Sequence, residues 1–355
     1  MLKPRRWMFP GLMTAFALVA CVGGTSTARA QGHWEKAAPF PEPEEELYGA
    51  AANGKMYVMG GYGEGGKPVG MVWEYDPATD KWTKKKDMAV PAHHAAMCSY
   101  NGKIYVFGGF TLLMDGQKVG WKPIDNAWEY NPVTDNWKEL APMPTKRGSP
   151  IAEQVGGKIY VIGGAAMHPG SKVPAVFANE PARSVSTNEA YDPETNKWES
   201  RSPLPTARNH AFAGAVDGKI YVIGGRIGSP FITVSSNIDV VEEYDPATDM
   251  WGAIKSRMPT PRSGGGWATY NGKIYVTGGE LQTPQSLGAF RAFEAYDPLK
   301  NTWEILPPLP SPRHGVAGAV IGNKIHFVSG KITSGGYEDG LKLSTPSHDV
   351  FVLDK

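Results

Sequence analysis

The chain of 355 residues has only two cysteines and almost no net charge. Lys and Arg number 36 and Asp and Glu 35, so the formal charge is +1. A nucleic-acid-binding protein usually carries a clear basic surplus, and this balance therefore argues against nucleic acid as the partner. The sequence also contains no Ser-His-Asp motif, phosphate-binding glycine loop or paired-carboxylate motif. No class of enzyme is therefore indicated by a short motif alone.

Long apolar runs are missing as well, although residues 1–30 carry a short one that is poorly suited to span a bilayer. Three basic residues within the first six precede the stretch MFPGLMTAFALVA, and residues 28–30 (ARA) offer small side chains where a signal peptidase cleaves. This order predicts an export signal. Residues 18–21 (LVAC) also match the bacterial lipoprotein box, in which Cys21 would be acylated. Both cleavages predict an extracytoplasmic protein, periplasmic or secreted, whose only membrane contact would be a lipid anchor at Cys21.

Cleavage after Ala30 would leave Cys98 as the only thiol of the mature chain. A single thiol cannot form an intrachain disulfide, so the stability has to come from packing. Cys98 lies inside a predicted strand, and we expect it to be a buried packing residue.

What the sequence has in abundance is repetition of one nine-residue pattern. The six copies are NGKMYVMGG (53–61), NGKIYVFGG (101–109), GGKIYVIGG (156–164), DGKIYVIGG (217–225), NGKIYVTGG (271–279) and a divergent GNKIHFVSG (322–330). Each begins with a residue pair that tolerates positive φ in a tight hairpin turn, and continues as an alternating strand. A period near 50 residues is typical of a propeller or a similar array.

A second pattern follows each of the first five copies. Tyr-Asp-Pro or Tyr-Asn-Pro predicts another hairpin turn, and a Trp stands seven positions after the Tyr. The pairs are Tyr75/Trp82, Tyr130/Trp137, Tyr191/Trp198, Tyr244/Trp251 and Tyr296/Trp303. Two hairpins in each unit predict four strands per repeat.

The double glycine, the Tyr, the Trp and an Arg at the start of the next unit together resemble the kelch repeat. The resemblance covers essentially the whole chain after residue 30. It implies an all-β fold, a β-propeller whose four-stranded blades run from strand a at the central channel to strand d at the outside.

The ends of the chain predict how many blades there are and how the ring closes. The last unit ends at residues 350–355 without a Trp strand, and its Asp354 aligns with the Asp of the Asp-Pro turn. The segment HWEKAAPFP (33–41) supplies the missing Trp34. We therefore expect a single six-bladed propeller over residues 31–355, in which the N-terminal strand is the outer strand of the last blade. The expected blades are about 43–90, 91–145, 146–206, 207–260, 261–311 and 312–355 plus 32–41.

Most of the length variation lies between the glycine pair and the Tyr, in the connections from strand b to strand c. These connections should emerge on the same face as the links from strand d to the next strand a. Because variable loops on a rigid scaffold often carry binding residues, we expect this loop face to be the binding face. Its aromatic and polar residues, Trp121 among them, suit a protein or glycan ligand, although such rings can also serve to hold their own loops.

The links from d to a supply most of the candidate binding residues. In kelch domains the arginine of the link mostly belongs to the consensus, so bracing between blades is favoured over ligand contact, and the next two positions more often face the pocket. The candidates are Arg147, Arg208, Arg262 and Arg313, followed by Glu45, Glu46, His93, His94, Ser149, Asn209, His210, Ser263 and His314. We expect no metal and no cofactor, because ring geometry should hold ligands apart and adjacent strand residues such as His93 and His94 should point to opposite sides.

Three functions remain open at this stage. The favoured one is an exported, non-enzymatic kelch propeller that binds a protein or glycan at its loop face. The second is a sugar mutarotase or epimerase similar to bacterial sialic-acid mutarotases, with His94, His210 or His314 and Glu45 or Glu46 as acid and base. The third, a copper radical oxidase, is disfavoured because Cys98 lies inside a strand.

Overall fold

The computed structural model describes residues 32–116, 118–177, 182–283, 286–335 and 343–354. Within these residues the strands form six four-stranded antiparallel sheets and four two-stranded ones. The inner strands of neighbouring sheets contact one another around the axis, so the predicted six-bladed propeller is confirmed. The predictions for residues 1–30, including Cys21, lie outside the described residues. None of the described helices has the length and apolar character needed to cross a membrane.

Blades 1 to 5 contain strands a to d in chain order, and blade 6 consists of its strands a to c plus the N-terminal strand as strand d. The first three blades are Glu45–Ala52, Lys55–Tyr62, Pro68–Asp76 and Lys81–Lys84; Ala96–Tyr100, Lys103–Phe107, Ala127–Asn131 and Asn136–Glu139; and Ile151–Val155, Lys158–Ile162, Asn188–Asp192 and Lys197–Ser200. The other three are Phe212–Val216, Lys219–Ile223, Val241–Asp245 and Met250–Trp251; Gly266–Tyr270, Lys273–Thr277, Phe293–Asp297 and Thr302–Ile305; and Ala317–Ile321, Lys324–Val328, His348–Leu353 and Gly32–Lys36.

The connections from b to c in blades 2 to 5 fold back as short hairpins rather than as irregular loops. Their strands are Phe110–Asp115 and Lys118–Pro123, Ala165–Met167 and Ala182–Ser184, Arg226–Gly228 and Ser235–Asn237, and Glu280–Thr283 and Ser286–Ala289. Two short 3-10 helices, Glu64–Gly66 and Ile232–Val234, lie in the same connections of blades 1 and 4. The variable segments are therefore ordered by backbone hydrogen bonds above the blades.

The N-terminal strand closes the ring, as the sequence predicts. Gly32–Lys36 pairs antiparallel with His348–Leu353, with Trp34 opposite Phe351. The alignment of Asp354 with the turn aspartate is wrong: Phe351 pairs with Ile325 just as Tyr296 pairs with Ile274. The tyrosine position of blade 6 is therefore Phe351. The Trp34 ring lies 5.1 Å from this ring between centroids, in an edge contact that buries both against the last blade.

One hydrogen bond recurs at all six contacts between blades. The indole Nε1 of each strand-d Trp donates to a backbone carbonyl just after strand d of the preceding blade. The pairs are Trp34 to Pro307 (2.9 Å), Trp82 to Ala38 (2.9 Å), Trp137 to Lys86 (3.1 Å), Trp198 to Ala141 (2.8 Å), Trp251 to Ser202 (2.9 Å) and Trp303 to Ser256 (2.9 Å). The conserved spacing of the repeat thus fixes each blade against the one before it.

A second contact exists at five of these six joints. The side chain two residues before the Trp accepts one hydrogen bond from the tyrosine hydroxyl of its own blade and one from a backbone N–H of the preceding blade. These acceptors are Asp80, Asp135, Asn196, Asp249 and Asn301. We call this arrangement the Asp/Asn clamp.

The joint that closes the ring lacks all three parts of the Asp/Asn clamp. Phe351 has no hydroxyl, Pro307 has no N–H, and Gly32 has no side chain. A Cβ on Gly32 would lie 2.4 Å from the carbonyl oxygen of Val352 and 2.7 Å from the Phe351 ring, so only glycine fits there. Trp34 and the strand pairing therefore hold this joint without the clamp.

Each blade also pairs the lysine at the start of strand b with one carboxylate, but the carboxylate comes from either of two positions. In blades 1, 2 and 4 it precedes the tyrosine on strand c, and in blades 3, 5 and 6 it follows the Trp on strand d. The pairs are Lys55–Glu74, Lys103–Glu129 and Lys219–Glu243, then Lys158–Glu199, Lys273–Glu304 and Lys324–Glu35. Glu35 completes this pattern on the N-terminal strand, which is independent support for its place in blade 6.

Replacing Trp34 by Ala should weaken the closed ring. The substitution removes the bond to Pro307 and the ring packing on Phe293, Phe327 and Phe351. We expect the free energy of unfolding to fall by about 3 kcal/mol, the low end for a large aromatic because Trp34 is only partly buried. Urea unfolding measures this loss, with exposed His33 replaced by Ala on the same strand as the control. Equal midpoints for the two variants would contradict the closing role of Trp34.

Candidate functional site

The links from d to a share an unusual backbone conformation at their second position. Glu46, His94, Ser149, His210, Gly264 and Gly315 all have φ between 51° and 67°. Four of these six residues are not glycine, and such residues adopt this left-handed region only at a cost in energy. The turn directs each link toward the propeller axis.

Backbone hydrogen bonds connect consecutive links around the axis. The amide N–H groups of Ser149, His210, Gly264 and Gly315 donate to the carbonyls of His94, Ser149, His210 and Gly264, at 2.7, 3.2, 3.0 and 2.7 Å. The N–H of Leu47 donates to the carbonyl of Gly315 at 3.2 Å, which joins blade 6 to blade 1. The links therefore form a belt that surrounds the channel, and we call it the link belt.

The left-handed turn changes where the paired link residues point. The prediction that His93 and His94 face opposite sides is wrong, because their Nδ1 atoms lie 2.5 Å apart. His94 has φ 56°, so the alternation of an extended strand does not apply there. Both histidines instead lie beside the Trp121 ring, at centroid distances of 4.9 and 4.8 Å.

Each first link position forms a bridge with the residue that follows the glycine pair, which is Ser329-Gly330 in blade 6. The partners are Tyr62, Phe110, Ala165, Arg226, Glu280 and Lys331. Arg226 and Glu280 are among the polar loop residues expected at the binding face, but their position directly opposite the links was not predicted. The signal for it is positional, because the first residue after the glycine pair is opposite the first residue of the link.

Arg226 connects a histidine and a carboxylate beneath the loop face. Its Nη1 donates to Glu280 Oε1 at 2.5 Å, and its Nη2 donates to His210 Nε2 at 2.6 Å. Burial, together with the neighbouring guanidinium, holds the pKa of His210 well below its usual range. His210 is therefore a neutral imidazole whose Nδ1–H donates to Asn209 Oδ1 at 2.5 Å. This arrangement fixes the orientation of all four side chains.

His314 lies at the centre of three carboxylates. Its Nε2 is 3.0 Å from Glu45 Oε2, 3.6 Å from Glu46 Oε1 and 3.7 Å from Glu280 Oε2. Burial alone would lower the pKa of His314, but these carboxylates outweigh burial and raise it to about 9. Burial raises the pKa of Glu45 to about 7. The Nδ1 of His314 donates to the carbonyl oxygen of Thr333 at 2.6 Å, which sets the direction of the His314 ring.

These groups line a cavity that we call the loop-face cavity. Its polar lining residues are Glu45, Glu46, Arg226, Glu280 and His314. Its aromatic lining residues are Tyr62, Trp121 and Phe231, and the last two rings lie 4.1 Å apart. Glu46 also approaches His94 Nε2 at 3.2 Å, so its carboxylate lies between two histidines.

Two lining groups of this cavity have polar atoms without a hydrogen-bond partner among the described residues. They are both carboxylate oxygens of Glu45, which lie near His314 but are poorly aligned for a hydrogen bond, and the indole Nε1 of Trp121. The two side chains are only 1% and 6% exposed. Because buried polar atoms in native proteins nearly always have partners, we expect water or a bound ligand to supply them here.

A second cavity of about 680 Å³ lies on the other side of the link belt and is lined by Ser149, His210 and Trp267. Farther along the channel, Cys98 lines another cavity and is partly exposed rather than fully buried as predicted. Burial still raises the pKa of its thiol.

His93, Asn209 and Ser263 are buried behind the lining residues. The predicted link candidates therefore converge on the axis.

The link arginines lie elsewhere, inside their own blades. Each is fully buried and paired with the acid two residues before the tyrosine position: Arg147 with Glu189, Arg208 with Glu242, Arg262 with Glu294 and Arg313 with Asp349. In blades 1 and 2 the arginine is replaced by Glu44 and Ala92, and the acid is replaced by Trp73 and Trp128. None of the four arginines lines a cavity described above. Their placement favours bracing, within a blade rather than between blades.

The fold and the site together define a closed β-propeller with a polar pocket at one end of its axis. Kelch family models match most of the chain: the KLHDC2/KLHL20/DRC7 Kelch-repeats domain over residues 25–164, and Kelch motifs over 147–205, 207–251 and 261–310. The chain belongs to the kelch-repeat family.

Curated relatives share about a quarter of the sequence. The chain is 28% identical over 300 residues to Kelch-like protein terF of Aspergillus terreus, covering 82% of this chain and 62% of that protein. It is 28% identical over 281 residues to Kelch-like protein 23 of Homo sapiens, covering 78% and 44%. The chain thus spans about half the length of these relatives. A solved structure described as "Structure of YjhT" has the same fold, with a TM-score of 0.67, 18% identity, and coverage of 88% of this chain and 96% of that one.

Removing the link arginine from its buried ion pair should destabilise the blade, while the residues that line the loop-face cavity stay unchanged. In Arg262→Ala the carboxylate of Glu294 stays buried without its cation, and we expect unfolding to become easier by about 3–5 kcal/mol. The double variant Arg262→Leu with Glu294→Leu should recover most of this loss. Urea unfolding of both variants tests the bracing role, and a double variant as unstable as the single one would contradict it.

Proposed function

We propose that the protein is a non-enzymatic binding propeller whose loop-face cavity accepts one sugar unit of a glycan. The observation that carries this proposal is that two groups of one cavity lack a hydrogen-bond partner among the described residues. They are the indole N–H of Trp121, which is a donor, and the carboxylate oxygens of Glu45, which are acceptors. A ligand that satisfies both must offer hydrogen-bond donors and acceptors at once, as sugar hydroxyls do.

The mixed lining of the cavity supports a sugar over a purely ionic ligand. Tyr62, Trp121 and Phe231 supply apolar ring surface, which suits the C–H side of a pyranose. The polar lining residues include carboxylates, which accept hydrogen bonds from hydroxyls, and Arg226, which binds oxygen acceptors. An acidic sugar would have to displace Glu280 from Arg226, so we expect neutral sugars to bind better.

A protein partner is the second candidate, and exposed apolar residues favour it. Ile227, Val234, Leu281 and Leu287 are between 40% and 54% exposed, and all lie in the b-to-c connections of blades 4 and 5. Grouped aliphatic side chains at one face commonly mark a protein contact. A glycan carried on a protein would use this surface and the cavity together.

A mutarotase or epimerase activity is the third candidate. Ring opening of a sugar needs an acid and a base near the anomeric carbon. The His314–Glu45 and His94–Glu46 contacts, at 3.0 and 3.2 Å, place two such pairs at the cavity. Sugar binding alone also explains why these residues line the cavity. A measurement of anomer exchange therefore has to distinguish catalysis from binding.

A glycan array, followed by calorimetry on the sugars it identifies, tests the binding proposal. Trp121→Leu should weaken sugar binding about tenfold or more, because one stacked ring contributes about 1–3 kcal/mol. Trp267→Leu, which removes a channel tryptophan outside this cavity, should leave it unchanged. NMR exchange between anomers should stay at the uncatalysed rate. Binding unaffected by Trp121→Leu would exclude the cavity, and accelerated exchange lost in Glu45→Gln would establish the mutarotase.

We also propose that the chain is exported. Support comes from the order of charge, apolar run and small residues in 1–30, and from the closing strand, which begins at Gly32 directly after that segment. Mass spectrometry of the protein recovered from a bacterial host should find an N-terminus at Gln31 or a lipid on Cys21. Replacing Cys21 by Ser separates the two routes, since it abolishes only the lipidated form. An intact Met1 terminus in the recovered protein would refute export.

A further inference from the structure

We infer that Glu45, Glu46 and His314 form a binding site for one divalent transition-metal ion, with Zn²⁺ or Mn²⁺ as suitable probes. One ligand atom from each residue lies within 4.8 Å of the others. The proposed glycan binding does not require this ion, although both proposals involve the Glu45 carboxylate. Ring geometry was expected to keep such ligands apart, but the links bring them together, with Glu46 in a left-handed turn.

The distances are close to those of a coordination sphere. His314 Nε2 lies 3.0 Å from Glu45 Oε2 and 3.6 Å from Glu46 Oε1. Ligand atoms bound to one ion at about 2.0–2.2 Å are separated by about 3–3.5 Å when they occupy neighbouring positions. All three ligand atoms lie within 4.8 Å of one another, so side-chain shifts that shorten the longer separations would complete the arrangement.

The direction of the imidazole is the second observation. His314 Nδ1 lies 2.6 Å from the carbonyl oxygen of Thr333, which can only accept, so Nδ1 keeps its hydrogen. Nε2 faces the carboxylates and releases its proton when the ion binds. Metal-binding histidines are usually oriented in this way by a backbone carbonyl or carboxylate. The ring is only 1% exposed, so this orientation is held by the surroundings.

The third observation concerns Glu45, whose carboxylate is 1% exposed and, apart from the ion-pair contact with His314 at 3.0 Å, has no hydrogen-bond partner among the described residues. A buried carboxylate left in this state is expensive, and coordination of a cation would stabilise it. Glu280 Oε2, at 3.7 Å from His314 Nε2, accepts from the Gly335 N–H and would form the surroundings of the site.

A neighbouring set of Glu46, His94 and His210 is a poorer candidate. His210 Nε2 already accepts a hydrogen bond from Arg226 at 2.6 Å, and a metal would have to displace that cation. The set around His314 has its third ligand, Glu46, in common with this one. The ion is therefore expected on the His314 side of Glu46.

One nitrogen and two carboxylate oxygens select the class of metal. Imidazole favours first-row transition metals over Ca²⁺ and Mg²⁺, and the lack of sulfur disfavours Cu⁺. Three protein ligands leave at least one coordination position directed to the loop-face cavity, where all three residues are lining groups. Because Glu45 and Glu46 belong to blade 1 and His314 to blade 6, a bound ion would also join these two blades.

Calorimetric titration of the chelator-treated protein with ZnCl₂ or MnCl₂, in the absence of any sugar, tests the site. We expect one ion per chain and a rise in the thermal midpoint that grows with metal concentration. Glu45→Gln and His314→Gln should each weaken binding about 100-fold, while Gln282→Ala, a variant of a cavity residue outside the ligand set, should match the wild type. Elemental analysis of the variants gives a second readout.

Binding absent from the wild-type protein, or equal in wild type and Glu45→Gln, would overturn the metal site. Because Glu45→Gln keeps the size of the side chain, it remains informative if His314→Gln does not fold. Sugar binding is measured separately in chelator, so its failure there would count against the glycan proposal and not against the metal.

Discussion

The indole-to-carbonyl hydrogen bond between successive blades is the constraint on which the rest of the molecule depends. Its donor lies on strand d and its acceptor lies just after strand d of the preceding blade, so it fixes where each d-to-a link begins. The link must then reach the axis within a few residues. Six such links meet there because six indole bonds have set the blades at regular intervals.

Much of this scaffold is predictable from the sequence, and the reason is repetition. The turn pairs, the glycine pairs and the Tyr–Trp spacing define the blades, and the unpaired Trp34 identifies the closing strand. The register of blade 6 was misjudged because Phe351 replaces the tyrosine on which the alignment relied. The lysines at the start of strand b show a further limit of prediction from sequence, because their carboxylate partners lie on different strands. Glu74 lies on strand c and Glu199 lies on strand d.

The site was only partly predictable, and the backbone explains why. His94 and His210 adopt a left-handed conformation that no local sequence rule assigns to histidine, so their directions could not be derived from strand alternation. Arg226 and Glu280 were expected at the loop face but not in contact with the links, because their position after a glycine pair is part of the scaffold in other blades, as at Ala165. The candidate site is therefore built at positions that recur in every blade but carry different side chains from one blade to the next.

The closing joint has a consequence for how the molecule is made. Its two strands come from opposite ends of the chain, so the strand synthesised first stays unpaired until the last residues, His348–Leu353, have appeared. Five blades can form while the first segment is still unpaired, and closing the ring then requires loop closure over nearly the whole chain. Because the Asp/Asn clamp is absent beside this strand, the pairing with His348–Leu353 and the Trp34 contacts have to hold it in place. The finished ring therefore depends on residues from both ends of the chain being available at the same time.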